Sequence, residues 1–316
     1  MANPPDQSEP PMFLEIRHLK TLSTLRECGN LAKAALRLHQ TQSALSHQVK
    51  AIEHYYEAPL FIRKSKPLQF TPLGLRLLSL ADEILPRINT AERELRQLAG
   101  GSQGRLHVAM ECHSCFEWLM PTMDIYRNEW PEVEMDISVG FAFEPLAALT
   151  RGQVDLVVTS DPQDLQGVHF EPLFGYQALL ALDKNNPLNK EKRIKAEHLS
   201  DQTLITYPVE TARLDIYRDF LNPAQVAPEG RRTAELTAMI MQLVASGRGV
   251  AALPNWVLTD YLDKGYVTAR PLGENGLWGT VYAAVRKSDL ELAYMSAFLQ
   301  DAQQTAFKVL KDIKGV

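Results

Sequence analysis

From Arg105 onward, short apolar runs of strand length alternate with amphipathic runs of helical length, and this alternation constrains the fold more than any other feature. Strand-like runs fall at 105–110, 135–141, 154–160, 203–207, 250–253 and 280–285; helical periodicity falls near 116–130, 144–151, 210–221, 235–246 and 289–311. Such an order predicts an α/β body with mainly parallel sheets, in which ligands sit at strand carboxyl ends beside helix amino ends. The break Gly100-Gly101-Ser102-Gln103-Gly104 separates this body from a preceding region of short helices and a hairpin. At 316 residues the chain has room for two or three units with real cores.

Charge is divided as well. The formal net charge of -5 argues at face value against a nucleic-acid partner, but it is an average over unlike parts. Residues 12–72 hold nine Lys/Arg against four Glu, a balance of +5, whereas residues 1–11 carry -2 and residues 73–316 carry -8. Four of the eight histidines, His18, His39, His47 and His54, also lie in the basic part. A basic head on an acidic body points to anion binding by the head, with a solvated helical surface as the plainer alternative.

Residue order within the head supports the first reading. Ile16, Leu19, Leu22 and Leu25 recur at three-residue spacing up to Gly29, which predicts a first helix closed by a glycine. Asn30 then caps a short second helix whose stripe is Leu31, Ala34, Ala35 and Leu38, His39-Gln40 makes the turn, and Thr41 caps a third helix. In the third helix Leu45, Val49 and Ile52 face inward. Thr41, Gln42, Ser43, Ser46, His47 and Lys50 are left on the outer side, donors and acceptors without an acid, as reading base edges and phosphates of double-stranded DNA requires. Residues 60–63 and 68–71 then read as two short strands whose turn concentrates Arg63, Lys64 and Lys66, a basic wing placed against phosphate. A generic three-helix core is the alternative. The domain expected is 13–71, a winged helix-turn-helix, preceded by a disordered Pro-rich extension over 1–12.

Thr71-Pro72 opens a linker helix over 72–100. Leu78, Leu85, Ile88 and Leu95 fall on one heptad-like stripe with Glu92 among them, so a paired dimerisation helix is expected, or else a helix packed on its own domain; Pro86 should kink it.

These runs carry a resemblance. LHQTQSALSHQVKAIE followed by APLFIRKSKPLQFTPLG resembles the amino-terminal domain of LysR-type transcriptional regulators, and ECHSC, WPEVEMD, LVVTSD, RLD and LPNWV continue it to the region of Arg286. The wider run is similar to the branch of that family that regulates methionine biosynthesis. The resemblance implies an activator with homocysteine as small-molecule coactivator, no other cofactor, and contacts with RNA polymerase. It implies a homodimer or dimer of dimers, and a periplasmic-binding-protein-like effector domain over 105–316. Its first subdomain would take about 105–161 and 275–316, its second about 170–270. One departure stands out: the family usually has Leu-Gly between third helix and wing, whereas this chain has Tyr56-Glu57, so a differently shaped turn is expected.

In the body, three polar clusters stand at strand ends. His113, Ser114 and Cys115 follow the first strand directly before a helix, Thr159, Ser160 and Asp161 close the third strand, and Thr206 and Tyr207 close the fourth. They are candidate effector contacts, or only caps and turns. An amino-acid effector needs an acid for its ammonium; Asp161, Glu210 and Glu235 qualify, and the sequence does not choose among them. Cys112 and Cys115 also invite a dithiol redox or half-zinc reading, but no second ligand pair has metal spacing, so no metal is expected. Three cysteines, with Cys28, suggest a reducing compartment, the cytoplasm. No apolar stretch reaches the roughly 18–20 residues of a membrane span. No phosphate loop or nucleophile elbow is present, since the GRG at 247–249 precedes a strand, so no enzyme is expected.

Overall fold

The structure, a computed structural model, describes residues 13–62, 65, 68–100, 104–111, 115–139 and 144–316. The chain divides into two compact units, the first ending at Leu95 and the second beginning at Arg96.

The first unit opens with α1 (Ile16–Cys28), α2 (Leu31–Arg37) and α3 (Gln42–Tyr55). Their ends are set by local chemistry. Gly29 takes the left-handed conformation at φ 68° and its N–H donates to Leu25 O at 3.0 Å. The Asn30 side chain accepts from Lys33 N at 2.9 Å, and Thr41 Oγ1 accepts from Ala44 N at 3.1 Å. Leu22, Leu25, Leu45 and Ile52 are fully buried together with Ala34, whose missing bulk lets the helices cross closely. Each buried Leu or Ile contributes roughly 1.5–3 kcal/mol.

The turn after α3 corrects one expectation. Glu57 adopts the left-handed conformation itself, at φ 51°, and Ala58 N donates to Glu53 O at 3.1 Å, so the shape that glycine favours is kept at the expense of strain. Among the described residues of the wing there is one antiparallel bridge, Phe61 to Phe70, flanked by Ile62 N to Gln69 O at 2.9 Å and Thr71 N to Leu60 O at 3.0 Å. Helix α4 (Pro72–Gly100) runs on through Pro86. Leu78 is not free for a seam between chains, because it is buried in the core of the head with Leu77. Leu85 and Ile88 are half-buried and Leu95 is 63% exposed. Arg26 of α1 forks onto Asp82 of α4 with two bonds of 2.7 and 2.6 Å.

The second unit contains β1 (Gly104–Met110), α5 (Phe116–Glu129), β2 (Val133–Val139), α6 (Pro145–Thr150), β3 (Leu156–Thr159) and β4 (Val168–Leu182). It continues through β5 (Thr203–Thr206), β6 (Gly230–Thr233), α7 (Thr237–Ala245), β7 (Ala251–Pro254) and α8 (Asn255–Asp263), and ends with β8 (Thr268–Pro271), β9 (Leu277–Arg286) and α9 (Ala293–Val309). The main sheet has the order β2-β1-β3-β9-β4-β7 with β8 also on β4, and β5-β6 forms a small parallel pair. Among the described strands the parallel ladders are β1 with β2 and β3, and β5 with β6; every ladder made by β4 and β9 is antiparallel. The sheet is therefore mixed, not mainly parallel. The cause is that β4 and β9 pair with each other across ten positions and also carry the β3 ladder on one side and the β7 and β8 ladders on the other.

The strand β4 and the helix α8 are unanticipated, and the helix expected at 210–221 is not α-helical. A 3-10 turn, Thr211–Arg213, is followed by extended Leu214 and a π-helical turn, Ile216–Leu221. Extended backbone puts residues 213 and 215 on one side, which a helix would not do.

Candidate binding cleft and nucleic-acid interface

On α3 the inward stripe Leu45, Val49, Ile52 is buried as the periodicity requires. Gln42, Ser43, His47 and Lys50 are exposed on the outer side, Ser46 is half-buried, and Thr41 is exposed while its hydroxyl oxygen is used as the cap. Gln48 points the other way and accepts from Thr21 Oγ1 at 3.0 Å, which ties α3 to α1. His39, in the left-handed conformation at φ 53°, makes the turn into α3, with Gln40 N donating to Ala35 O at 2.9 Å. Arg63, Lys64 and Lys66 lie outside the described residues, as do the extension 1–12, Cys112, His113 and Ser114.

In the second unit, a cleft of about 150 Å³ opens where β1 and β3 end, facing the segment after β5. It is smaller than the roughly 300–1,000 Å³ of drug-sized pockets, so it suits a small ligand. Ser160, Asp161 and Tyr207 of the expected contacts line it. Glu111, Tyr176, Arg213 and Asp215 line it too and were not anticipated, and Val209, Leu214, Ile216, Ala252 and Leu253 supply an apolar wall.

Its polar groups form one connected set. Arg213 Nη2 donates to Glu111 Oε1 at 2.7 Å and Arg213 Nε donates to Asp161 Oδ2 at 2.9 Å. Thr159, 1% exposed, holds both acids from beneath: its hydroxyl donates to Glu111 Oε2, and its oxygen accepts from Asp161 N at 3.0 Å. On the facing side Tyr176 OH donates to Asp215 Oδ2 at 2.6 Å, and Arg218 Nη2 donates to Asp215 Oδ1 at 2.7 Å. Burial raises the pKa of Asp215 above the ordinary carboxylate value, against the opposing pull of the Tyr176 hydrogen bond and Arg218. Burial also works against the Arg213 charge, but hydrogen bonds to Asp161 and Glu111 outweigh it and its pKa is raised.

The other expected contacts are elsewhere. Thr206 is buried, donating to Tyr207 O at 3.0 Å and accepting from Arg231 Nε at 3.1 Å, and so supports the cleft from behind. Tyr207 OH shares a 2.7 Å hydrogen bond with Thr237 Oγ1 at the start of α7. Cys115 does not line the cleft: it is 1% exposed in the main core, because it sits at the start of α5 with the helix packed on the sheet. Glu210 and Glu235 are solvent-exposed and absent from the cleft wall. Two signals could have found the missed residues. Glu111 is the first residue past the carboxyl end of β1, and Arg213-Leu214-Asp215 places opposite charges two apart, the spacing of an extended segment.

Residues 99–306 match the LysR substrate binding domain, and residues 16–75 match the bacterial regulatory helix-turn-helix protein of the lysR family. The chain is 45% identical to the HTH-type transcriptional regulator MetR of Haemophilus influenzae, covering 95% of this chain and 97% of that protein. It is 44% identical to MetR of Escherichia coli over 96% of this chain and 94% of that protein. Among solved structures, the regulatory domain of MetR from N. meningitidis superposes with a TM-score of 0.63 at 40% identity, covering 67% of this chain and 98% of that one.

Proposed function

The chain belongs to the LysR family of transcriptional regulators, and from that premise we propose that it controls methionine-biosynthesis genes, mainly as an activator, with homocysteine as coactivator. As a member of the family it is a DNA-binding regulator. In the proposal, Gln42, Ser43, Ser46, His47 and Lys50 read bases and phosphates from the outer side of α3, with Thr41 at its start and Arg63, Lys64 and Lys66 gripping the backbone. Leu85, Ile88 and Leu95 of α4 form the seam of a homodimer, which doubles the site read. Homocysteine in the cleft shifts the balance between two arrangements of the oligomer and so its contacts with promoter DNA and RNA polymerase.

The observation that carries the effector reading is the pairing of Arg213 with Glu111 and Asp161 in a small cleft with one apolar wall. Opposite charges at one end and Leu214, Ile216 and Leu253 beside them match an amino acid with a short apolar tail ending in a soft thiol. Calorimetry of the full chain against homocysteine, homoserine and methionine tests this. Saturable heat with homocysteine bound tightest is expected, and equal binding of homoserine, or no heat, rejects homocysteine. Replacing Gln42, Ser46 and Lys50 together with alanine should abolish specific promoter binding; unchanged affinity rejects α3 as the reader.

A further inference from the structure

The charged groups on the cleft wall are Glu111, Asp161, Asp215 and Arg213, and Arg218 pairs with Asp215 at 2.7 Å and Asp161 at 3.8 Å, so three carboxylates stand against two guanidiniums. With Asp215 ionised that wall carries net negative charge, so it draws in a cation and resists a molecule that brings only an anion. Asp215 already accepts from Tyr176 and Arg218. Glu111 and Asp161 both accept from Arg213, and Thr159 fixes them in place.

Arg213 differs from the structural arginine of the same unit. Arg286, in the buried interior, donates to the carbonyls of Leu149 and Val154 as well as to Asp155 and Asp289, and is thereby built into the fold. The Arg213 guanidinium donates to side chains alone among the described residues; it holds no backbone carbonyl and is 35% exposed. Its two partners belong to the β1 and β3 ends, while Arg213 itself belongs to the segment after β5. Its interactions can therefore be exchanged without unmaking a backbone hydrogen bond.

Resting on the reading of this cleft as the effector site, we infer that Arg213 is its specificity-determining residue. Arg213 yields Glu111 and Asp161 to the ammonium of the ligand and takes the ligand carboxylate in return, so an α-amino acid is accepted and a molecule with one of the two groups is not. An amine without a carboxylate displaces Arg213 and leaves a partly buried guanidinium unpaired; a carboxylate without an amine faces the acids.

The test is calorimetry of the full chain with homocysteine, 4-mercaptobutanoate, which lacks the amine, and 3-aminopropane-1-thiol, which lacks the carboxylate. The wild-type chain should bind homocysteine at least about tenfold tighter than either, the scale of one charge-assisted hydrogen bond. In Arg213→Gln the preference over 3-aminopropane-1-thiol should collapse to within about threefold, because the guanidinium that pairs with both Glu111 and Asp161 is gone, while Arg218 stays on Asp215. Arg213→Lys should restore part of it, and a cooperative urea transition by tryptophan fluorescence verifies that each variant keeps the second unit folded. If Arg213→Gln keeps the full preference, the inference is overturned while the homocysteine reading stands. If homocysteine is inert but methionine shows the same Arg213-dependent preference over its own single-headed analogues, the inference stands and homocysteine falls. Failure of every α-amino acid to bind overturns the inference.

Discussion

Thr159→Val inverts the ordinary expectation for a buried strand position. Valine nearly conserves the volume, is favoured in strands, and replaces a polar atom by a methyl in a site only 1% exposed. On burial alone it should stabilise. It also removes the hydroxyl that donates to the Glu111 carboxylate and accepts from Asp161 N at 3.0 Å. The first loss, to a charged acceptor, costs about 1.5–3 kcal/mol, and the second about 0.5–1.5 kcal/mol where water does not replace it. After the small gain from burial, a net loss of about 2–3 kcal/mol is expected. Thr159→Ser keeps both hydrogen bonds and loses one methyl, at a cost of about 1 kcal/mol. The four tryptophans, Trp118, Trp130, Trp256 and Trp278, all lie in the second unit, so urea unfolding followed by tryptophan fluorescence reports on that unit selectively. The urea midpoint should rank wild type, then Thr159→Ser, then Thr159→Val. A valine variant at least as stable as the serine variant would refute the role given to this hydroxyl.

Other perturbations test other links. Leu45→Ala empties a fully buried site on α3 and should cost the head about 2–5 kcal/mol; promoter binding is lost while the tryptophan unfolding curve is unchanged. Glu57→Val forces a β-branched residue into φ 51° and should lower head stability by about 1 kcal/mol or more, whereas Glu57→Gly should not lower it, both read by far-UV circular dichroism in urea. Burial raises the folded-state pKa of Asp215, so over the window above the ordinary carboxylate value the folded protein holds a proton that the unfolded chain has released. Its contribution to stability therefore falls as pH rises through that window. The urea midpoint of Asp215→Asn, measured against pH, should lack that component, and an unchanged pH profile argues against it.

Local signals were legible in the sequence, and signals that depend on tertiary pairing were not. Gly29, Asn30 and Thr41 cap their helices as their chemistry dictates, and Leu45, Val49 and Ile52 point inward as their spacing dictates. Strand β4 contains Pro172 and Gly175, residue types that interrupt a strand pattern. The structure absorbs the proline in a register shift between Pro172 and Phe174. Gly175 is accommodated by pairing with the C-terminal segment, where Gly175 N donates to Lys314 O at 2.8 Å and a Cβ would meet the Lys314 side chain at 2.9 Å. Helix α8 was missed because it starts at Asn255 directly after β7, with no loop to mark it.

The cleft was half legible for the same reason. Ser160, Asp161 and Tyr207 stand at strand ends, where fold class alone sends a reader. Arg213 and Asp215 sat inside a run with helical periodicity, and a helix would have turned them to different faces. Extended Leu214 aligns them, a conformation fixed by the surrounding structure and not by the residues of the segment. Glu235 looked equivalent to Asp161 by charge, yet it is exposed because the chain has turned outward just before α7.

The central claim is that an amino-acid effector acts through the acids at the ends of β1 and β3 to change how the head engages DNA. Its most direct test is the affinity of the full chain for a promoter fragment of a methionine-biosynthesis gene, with and without homocysteine, in wild type and Asp161→Asn. Homocysteine should shift the wild-type affinity and leave that of Asp161→Asn unchanged, while both proteins bind the fragment comparably without it. A shift of the same size in Asp161→Asn would contradict the account.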